Sequence, residues 1–441
     1  MRLQLRQIFA ETMEQVQVTK ALQHAVRCVN GVLRIGELQY TLADFDRIVV
    51  VSIGKAAVPM CDYFAQMLQP ELAKRQQLEG VIVGSELLHR TPAKIRYFHG
   101  SHPVPDESSR AAAVEIMGLL HTLNARSLVF FLISGGGSAM VEHPLDPSIS
   151  VEQTAAFYQG LLHSGLSIVE MNVLRKHFSA VKGGRMAEAA GAATQCTVLV
   201  SDVPEGELHM VSSGPTLPDP STLEECSKLI RARKLENVLP GVVIDYLRGK
   251  SCRETPKATS AVFERAHWIC LLSNERLLES AAALAKEQGY TVVIDNSCDD
   301  WEYRKAADYL LRKLKELSEQ HEQVCLLSGG EIAVEIHGRA GVGGRNQHFA
   351  LYSATQLDEY FRGQNIGILS AGSDGVDGNS SAAGAVADIS TIRRAKKLGI
   401  DPTVILQQFD SGNLFEKLGD AIVTGPTGNN LRDIRMLLSV R

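Results

Sequence analysis

The sequence contains few aromatic residues and no excess of positive charge. Aromatic residues make up 6% of the 441 residues, and only two of them are Trp, which argues against a carbohydrate- or base-stacking surface. Lys and Arg number 45 against 50 Asp and Glu, a formal net charge of −5. This balance excludes a general nucleic-acid binder that depends on a basic surface, although it leaves a small basic pocket open.

Long apolar runs and closely paired cysteines are also absent. No stretch approaches the roughly 18 uninterrupted apolar residues of a membrane span, and the N-terminus has no apolar core of signal-peptide length. The eight cysteines are scattered without CxxC spacing, which is typical of reduced thiols. We therefore expect a cytoplasmic protein that does not bind membranes.

Several motifs of nucleotide-binding and hydrolytic enzymes are missing. The P-loop pattern GxxxxGK[ST] fails, because Gly249-Lys250-Ser251 imitates only its end and its first glycine is replaced by Ile244. No GxGxxG occurs, which weakens dinucleotide binding. The sequence also lacks HExxH, a Cys/His cluster with zinc spacing, and the GxSxG elbow of α/β-hydrolases.

Apolar strand-like runs alternate with amphipathic helical stretches along most of the chain, which predicts an α/β protein with a largely parallel sheet. Near-continuous apolar runs indicate strands buried on both faces. The runs are Arg47–Ile53, Gly80–Val83, Ser127–Ile133, Thr197–Val200, Trp268–Leu272, Val292–Ile294, Val324–Leu327 and Ile366–Leu369. Apolar spacing of three and four also predicts helices over Ser108–Leu123 and Trp301–Gln320.

The length of the chain predicts two or three domains. Segment 249–260, GKSCRETPKATS, is polar, contains Pro and Gly, and separates two blocks that each have strands and helices. We therefore predict an N-terminal domain over 1–248, a linker over 249–260 and a C-terminal domain over 261–441.

Small, hydroxyl, cationic or carboxylate residues follow five of the predicted strands, at the sheet edge where ligands bind in open α/β folds. The segments are Gly54–Ala57 (GKAA), Ser134–Ala139 (SGGGSA), Ser201-Asp202, Ser328–Glu331 (SGGE) and Ser370–Gly378 (SAGSDGVDG). Glycine lets backbone N–H groups approach an anion closely. The recurrence of such loops indicates an anion-binding site more strongly than any one of them.

Three positions are candidates for holding an anion. Ser134–Ala139 places two hydroxyls around three glycines, which favours anion binding over a plain tight turn. Lys55 can neutralise a phosphate or simply extend its amine to water, and the local sequence does not choose between the two. Arg345 begins a helix after the glycines of 341–344, where a cation is unfavourable, so we expect it to face an anion.

Three aspartates are candidates for holding a cation. Asp374 and Asp377 lie three apart in a Gly-rich turn, and Asp202 follows another strand. Carboxylates suit Mg²⁺, which is usually held together with substrate phosphates. Taken alone, the SDGVDG turn is better explained by Asp side chains that bond to their own backbone.

Nine segments in order resemble the class II glycerate kinase family, whose C-terminal part is called the MOFRL domain, and together they span nearly the whole chain. They are Val49–Ala57, His102–Ser109, Phe131–Met140, Met171–Ala187, Leu199–Thr222, Leu326–Gly338, Gly341–Leu351, Leu369–Ala385 and Val423–Ile434. Nine collinear motifs are a far more specific signal than a single loop.

The resemblance implies ATP-dependent phosphorylation of D-glycerate, usually at the 2-hydroxyl to give 2-phosphoglycerate, with Mg²⁺. It implies a Rossmann-like N-terminal domain with a mostly parallel sheet, a smaller α/β MOFRL-like domain, and an active site in the cleft between them. Lys55 and Arg345 match the family's catalytic lysine and arginine, and Ser134–Ser138 matches its substrate loop.

Three places depart from the family pattern. The motif SDVxGD reads SDVPEGE at 201–207, so its second Asp is missing and Glu205 or Glu207 is the candidate substitute. Ser381 stands before AAGA in place of an acidic residue, and Asn429 replaces the Thr of GPTGTN. Metal coordination and the substrate therefore stay open, and a related sugar acid is an alternative acceptor.

The residues and the resemblance together predict the following roles. Catalysis is assigned to Lys55, Arg345 and Asp202, the last as a metal ligand or as the acceptor of the substrate proton. Substrate binding is assigned to Ser134, Gly135, Gly136, Gly137, Ser138, Arg175 and Lys176, although a solvated helix face explains the last two nearly as well. ATP binding is assigned to Asn274, Gly329, Gly330, Glu331 and Asn346, and Mg²⁺ binding to Asp202, Asp374 and Asp377.

Two other functions remain as hypotheses. One is a hydroxypyruvate reductase, a name also given to relatives of this family, and the missing GxGxxG favours the kinase over it. The other is a non-catalytic sensor of sugar acids or phosphate that kept the anion-binding loops. The expected partners are glycerate and ATP, with no nucleic acid and no membrane, and a homodimer is left open.

Overall fold

The computed structural model describes residues 1–74, 76–86, 94–204, 206–336, 338–361 and 364–441. Contacts divide the chain into two compact units. The N-unit comprises Val18–Leu271, and the C-unit comprises Met1–Gln17 together with Leu272–Arg441. Glu205, one of the two candidate substitutes for the missing acidic residue, lies outside the described residues.

Helices and strands alternate through both units. The helices are α1 (Arg2–Gln15), α2 (Val18–Ala25), α3 (Ala57–Leu68), α4 (Glu107–Leu120), α5 (Gly137–Met140), α6 (Val151–His163), α7 (Ile168–Phe178), α8 (Arg185–Ala190), α9 (Leu223–Ala232), α10 (Gly241–Arg248), α11 (Asn274–Glu287), α12 (Tyr303–Gln320), α13 (Arg345–Tyr360), α14 (Thr391–Lys397), α15 (Pro402–Gln407) and α16 (Ser411–Leu418). The strands are β1 (Val26–Val29), β2 (Val32–Ile35), β3 (Leu38–Thr41), β4 (Arg47–Ile53), β5 (Gln77–Gly84), β6 (Ile95–His99), β7 (Ser127–Ser134), β8 (Thr194–Val200), β9 (Ala266–Leu272), β10 (Thr291–Ile294), β11 (Gln323–Ser328), β12 (Asn365–Gly372), β13 (Gly384–Asp388), β14 (Ala421–Ile422) and β15 (Asp433–Val440).

The two units divide the chain differently from the predicted domains. Segment 249–260 belongs to the N-unit, where Arg185 donates to the carbonyl of Arg253 (2.9 Å) and Thr255 donates to Asp219 (2.9 Å). Because its polar groups bond to other residues of the N-unit, this segment is a loop within that unit rather than a linker between domains. The strand β9, which follows it, joins the sheet of the N-unit. At the other end, α1 packs against α11 and β12 of the C-unit.

The main sheet of the N-unit has the strand order β6-β5-β4-β7-β8-β9. The pairs β6–β5, β5–β4, β4–β7 and β7–β8 are parallel, which confirms the parallel sheet predicted from buried apolar runs. Numbered along the chain, this order is 3-2-1-4-5-6, that of a doubly wound sheet, in which the strand order reverses between β4 and β7. The loops after these two strands therefore lie side by side.

The remaining sheets differ from the largely parallel arrangement that we expected. In the C-unit, β10 and β11 are parallel, but β15 lies antiparallel between β11 and β12, and β13 and β14 continue antiparallel. The pattern of apolar runs did not indicate β15, which contains the buried Arg435. Because β15 runs antiparallel to both β11 and β12, it interrupts the parallel pairing that begins with β10 and β11. In addition, β1, β2 and β3 form a separate antiparallel sheet.

Helix predictions agree with the structure to within a few residues. α4 begins after Asp106, whose side chain accepts a hydrogen bond from the backbone N–H of Ser109 at 3.0 Å, the geometry of an N-cap. α12 covers most of the second predicted stretch, and its apolar stripe packs in the core of the C-unit. Among the described residues, no helix combines the length and the apolar character needed to cross a membrane.

Candidate active site

The loops after β4 and β7 are bonded directly to each other in the N-unit. Ile53 and Ile133 are register partners at the ends of the two strands. Beyond them the backbone N–H of Lys55 donates to the carbonyl of Gly135 (3.0 Å), and the N–H of Ala56 donates to Ser134 Oγ (2.9 Å). The structure therefore brings together the predicted catalytic lysine and the predicted substrate loop.

The side chain of Lys55 extends along the Gly-rich loop. A Cβ atom added to Gly136 would lie 3.3 Å from Lys55 Cγ, and Gly136 itself has a positive φ of 87°. Lys55 is half-buried, and no carboxylate forms a salt bridge with it among the described residues. A desolvated ammonium group without a counterion favours a bound anion at this place.

Asp202 lies against the same loop, at Gly135. A Cβ atom on Gly135 would lie 2.0 Å from Asp202 Oδ2, so the carboxylate occupies space that only glycine leaves open. The ammonium of Lys55 and the carboxylate of Asp202 thus flank consecutive glycines. This places a candidate charge stabiliser and a candidate proton acceptor at one edge of the sheet.

The backbone N–H groups of the loop are available to a ligand. Among the described residues, no acceptor takes the N–H groups of Gly136, Gly137 and Ser138. Ser138 Oγ lies 2.7 Å from Ser213 Oγ, which donates to Asn172 Oδ1 at 2.9 Å. A chain of hydroxyl and amide groups therefore leads up to open amides, an arrangement that suits a carboxylate or phosphate.

Ser212 and Ser213 are site residues that the sequence reasoning did not single out. Both have positive φ values, 50° and 61°, which are uncommon for residues other than glycine and concentrate at functional sites. Ser212 Oγ donates to the carbonyl of Ser134 at 2.6 Å, so this turn supports the Gly-rich loop. The sequence signal that could have identified them is the pair of serines before Gly214, within the segment Leu199–Thr222 that resembles a family motif.

Arg175 and Lys176 have different environments. The Lys176 ammonium donates to Asp219 at 3.0 Å, both side chains are almost wholly buried, and burial lowers the pKa of Lys176. This charge is already paired, so a structural role explains Lys176 better than the predicted phosphate binding. The Arg175 guanidinium instead lies over the ring of Tyr158 at 4.9 Å, and its Nε has no hydrogen-bond partner in the described part of the chain.

Tyr158 and His102 connect Arg175 to the loop. Tyr158 Oη lies 3.0 Å from the carbonyl oxygen of Ser138 and also contacts the carboxylate of Glu142, so the residue under Arg175 also touches the predicted substrate loop. Partial burial, together with the positive charges of Lys55 and Arg175, lowers the pKa of His102. His102 therefore faces the same cationic region, and its place in the matched segment His102–Ser109 was the signal for it.

In the C-unit, Arg345 is held by two carboxylates at the first residue of α13. Its Nε and Nη2 donate to Asp433 at 2.6 and 3.1 Å, and its Nη1 lies 2.8 Å from Glu331 Oε2. Burial opposes the charge, but the hydrogen bonds to Asp433 raise the pKa of Arg345 above its ordinary value. The guanidinium is therefore a permanent cation in a fixed orientation, and about a third of the side chain is exposed (35%).

The two predicted metal ligands of the C-unit, Asp374 and Asp377, accept hydrogen bonds from backbone N–H groups. Asp377 accepts the backbone N–H groups of Asn346 and Gln347 at 3.0 and 2.8 Å, so it caps α13. Asp374 accepts the N–H of Val376 within its own turn at 3.1 Å. No group of three or more His, Cys, Asp or Glu suited to a metal occurs among the described residues. The bond of Asp374 matches the backbone-bonding explanation within its own turn, whereas Asp377 bonds to the backbone of α13. Binding of Mg²⁺ together with substrate phosphates stays a prediction.

The loop after β11 is already satisfied by the protein. The N–H groups of Gly329, Gly330 and Glu331 donate to side-chain oxygens of Asn296, Asn274 and Asp299, each at 2.9 Å. Phosphate binding by these three amides, as predicted for ATP, would therefore have to displace protein contacts.

The amide side chains predicted to bind ATP are engaged as well. Asn274 Nδ2 donates to the carbonyls of Leu431 and Asp433 at 2.7 and 2.9 Å. Asn346 Oδ1 accepts from Ser370 at 2.5 Å. Of the residues predicted to bind ATP, Glu331 is the one whose carboxylate forms an ion pair with the partly exposed guanidinium of Arg345.

Comparisons with known proteins identify the family of this chain. Residues 4–248 match the family described as a domain of unknown function (DUF4147), and residues 324–433 match the MOFRL family. The D-glycerate 2-kinase of Thermotoga maritima is 35% identical over 89% of this chain and 90% of its own, and the glycerate 2-kinase of Pyrococcus horikoshii is 30% identical over 88% and 86%. The chain belongs to the glycerate kinase family. The family predicted from the nine motifs is confirmed.

Solved structures support the same family. The crystal structure of the Thermotoga maritima glycerate kinase has a TM-score of 0.82 and 32% identity, covering 100% of this chain and 99% of that one. A protein of Agrobacterium vitis that carries a hydroxypyruvate reductase name is 35% identical over 89% of this chain and 99% of its own. Both names used in the sequence-based hypotheses thus occur among relatives of this glycerate kinase family member.

Proposed function

We propose that this protein is an ATP-dependent kinase that phosphorylates D-glycerate at its 2-hydroxyl, giving 2-phosphoglycerate and ADP. The proposal is carried by the ammonium of Lys55, which forms no salt bridge within the described residues and lies beside three amides that have no acceptor there. The chain is also 35% identical to a D-glycerate 2-kinase. The open amides and the cation suit an anionic substrate, and the carboxylate of Asp202 suits removal of a hydroxyl proton.

The acceptor is assigned to the N-unit. The N–H groups of Gly136, Gly137 and Ser138 hold the glycerate carboxylate. The 2-hydroxyl oxygen then forms the new bond to the γ-phosphorus, the bond from that phosphorus to the ADP oxygen breaks, and the hydroxyl proton passes to Asp202. Lys55 stabilises the charge on the transferring phosphoryl group, since catalysis of this reaction consists largely of positioning and charge stabilisation.

Arg345 is the C-unit's assigned catalytic residue. Its guanidinium neutralises charge that develops on the phosphoryl oxygens, and Asp433 and Glu331 hold it so that little reorganisation is needed during the reaction. Asp374 and Asp377 accept backbone N–H groups and Asp202 is assigned the proton, so no step is routed through a protein-bound metal. The ATP-binding roles of the loop after β11 remain predictions.

The test is an assay of the purified protein with ATP and D-glycerate, with phosphorus NMR to locate the new ester. We expect ADP to form in step with a phosphate ester on the 2-oxygen. L-Glycerate and other sugar acids in the same assay identify a different acceptor. Formation of no ADP with any of these acids contradicts the proposal.

The reductase name of the Agrobacterium relative supports one alternative. Hydroxypyruvate with NADH or NADPH in a parallel assay tests it, because a reductase consumes the reduced cofactor and needs no ATP. We expect no consumption, since the sequence lacks GxGxxG. A cytoplasmic location and a homodimer are further proposals that this assay does not address.

A further inference from the structure

A second open site lies in the C-unit, next to Arg345. It is a cavity of about 690 Å³ between the first turn of α13, the turn at 374–379, the segment 332–336 and Phe409. This volume is within the range of about 300–1,000 Å³ that holds small-molecule ligands in proteins. Arg345 is the one residue of its lining to which a catalytic role is assigned above.

Most of one wall is apolar and uncovered. Val376 and Ile336 line the cavity and are 45% and 52% exposed, and the half-buried ring of Phe409 lies beside them. Phe409 has a positive φ of 52°, an outlier conformation for a bulky residue of the kind that concentrates at functional sites. An aromatic ring and two aliphatic side chains form a surface suited to a flat apolar ligand face.

The inner wall carries polar atoms without a partner. His348 lines the cavity, is 2% exposed, and neither ring nitrogen has a hydrogen-bond partner within the described residues. Burial and the charge of Arg304 lower the pKa of His348 to about 4, so the ring is neutral at pH 7 and offers one donor and one acceptor. A buried polar group that lacks a partner calls for an explanation, and an absent ligand supplies one.

The charged end of the cavity lies at the first turn of α13. Arg345 and His348 are three residues apart on α13 and therefore share one face of it, and both line the cavity. The site thus runs from the fixed cation of Arg345, which shares the lining with the carboxylates of Asp374 and Asp377, to a neutral imidazole beside an aromatic ring. This order matches a molecule with an anionic group at one end and a planar heteroaromatic ring at the other.

We propose that this cavity is the nucleobase subsite, which binds the purine ring of the nucleotide against Phe409 and Val376 while its phosphates extend toward Arg345. The inference rests on the proposed function, because that function supplies the nucleotide. It assigns the base-binding role to residues of the 374–379 turn, α13 and Phe409 rather than to the satisfied loop after β11.

The test uses the variant Val376→Trp, which fills the apolar wall at an exposed position. Calorimetry measures the binding of ADP, adenosine and pyrophosphate to the full chain. We expect the wild type to bind ADP at least ten-fold more tightly than pyrophosphate, and the variant to lose at least ten-fold in ADP affinity while pyrophosphate binding stays the same. Val404→Trp is the matched control, because Val404 is similarly exposed (42%) on the same unit and does not line the cavity.

A second variant tests the polar wall. His348→Phe keeps a ring between Phe409 and Tyr303 but removes both nitrogens. We expect weaker ADP and adenosine binding with an unchanged or higher melting temperature, because the substitution removes buried polar atoms that lack partners.

The outcomes separate this inference from the proposed function. If the wild type forms ADP from ATP and glycerate but both variants bind ADP normally, only the nucleobase subsite is wrong. Equal weakening by Val404→Trp, or equal loss of ADP and pyrophosphate binding in Val376→Trp, also overturns the subsite. A wild type that neither binds ADP nor forms it removes the proposed function and the subsite together.

Discussion

The guanidinium of Arg345 and the carboxylate of Asp433 form a two-point pair, with distances of 2.6 Å from Nε and 3.1 Å from Nη2. Arg345 is the first residue of α13 and Asp433 is the first residue of β15, so the pair joins the start of a helix to the start of the strand that completes the sheet of the C-unit. The proposed catalytic cation is thus also part of the structure that holds the C-unit together.

This pair decides which Arg345 variant is informative. Arg345→Ala leaves the buried Asp433 without its partner, and an unsatisfied buried group costs about 1–3 kcal/mol of stability or more. Arg345→Lys keeps a cation but loses the two-point geometry. We expect Arg345→Lys to lower kcat by about 10²–10³-fold, with little change in the KM for glycerate. Steady-state kinetics and a melting curve measure both effects, and near-normal kcat contradicts the catalytic role.

Lys55 gives a cleaner test, because no salt bridge to it occurs among the described residues. We expect Lys55→Met to lower kcat by roughly 10³-fold, as expected for loss of a group that stabilises charge on a transferring phosphoryl. The melting temperature should change little, since no ion pair is lost. Lys228→Met, which breaks an exposed pair with Glu224, is the control and should turn over normally. Full activity of Lys55→Met excludes its assigned role.

Gly135 and Gly118 form a matched pair of glycine substitutions. In Gly135→Ala the new Cβ would meet Asp202 Oδ2 at 2.0 Å, so the carboxylate must move. Gly118 lies within α4 with open space around it, where alanine stabilises a helix by about 0.5–1 kcal/mol. We expect Gly135→Ala to lose at least ten-fold in kcat and Gly118→Ala to keep its activity with a slightly higher melting temperature. Equal kcat values for the two variants contradict the proposed role of Asp202 as the proton acceptor.

Asp377 predicts how the stability of the C-unit depends on pH. Burial raises the pKa of Asp377 to about 7, although the backbone N–H groups of Asn346 and Gln347 oppose the shift. The folded state therefore holds this proton to higher pH than the unfolded state, and its contribution to stability falls as pH rises from about 4 to about 7. The slope is at most about 1.4 kcal/mol per pH unit.

The comparison of wild type with Asp377→Asn isolates this effect. Urea unfolding at pH 5, 6 and 7 gives the stability of each protein. We expect the advantage of the wild type over the variant to shrink as pH rises, because asparagine does not titrate. A difference that is constant across this range shows that the folded state does not bind this proton.

The sequence predicted the N-unit more completely than the C-unit. Buried parallel strands read as continuous apolar runs, and the turns after them must be small. The position of Lys55 beside Gly135 and Gly136 follows from two such runs that end in the same register. Asp202 was likewise placed at a strand end, although only the tertiary structure shows that its carboxylate lies against Gly135.

The sequence pattern did not predict hydrogen bonds and ion pairs between residues that are far apart along the chain. Nothing local to Arg345 indicates Asp433, which lies 88 residues further on, and the ATP-binding amides predicted at Gly329 and Gly330 have their hydrogen bonds to side chains from other elements. The same holds for Lys176, which forms a buried ion pair with Asp219, 43 residues further along the chain.

By itself, the sequence determined the family, the parallel sheet of the N-unit and the Gly-rich loop, because each depends on residues that are neighbours along the chain. Only the tertiary structure decided that β15 lies between β11 and β12, that Asp377 caps α13 and that His348 lines an open cavity. Those features depend on which distant segments pack together, and hydrogen bonds between distant segments leave no periodic pattern in the chain.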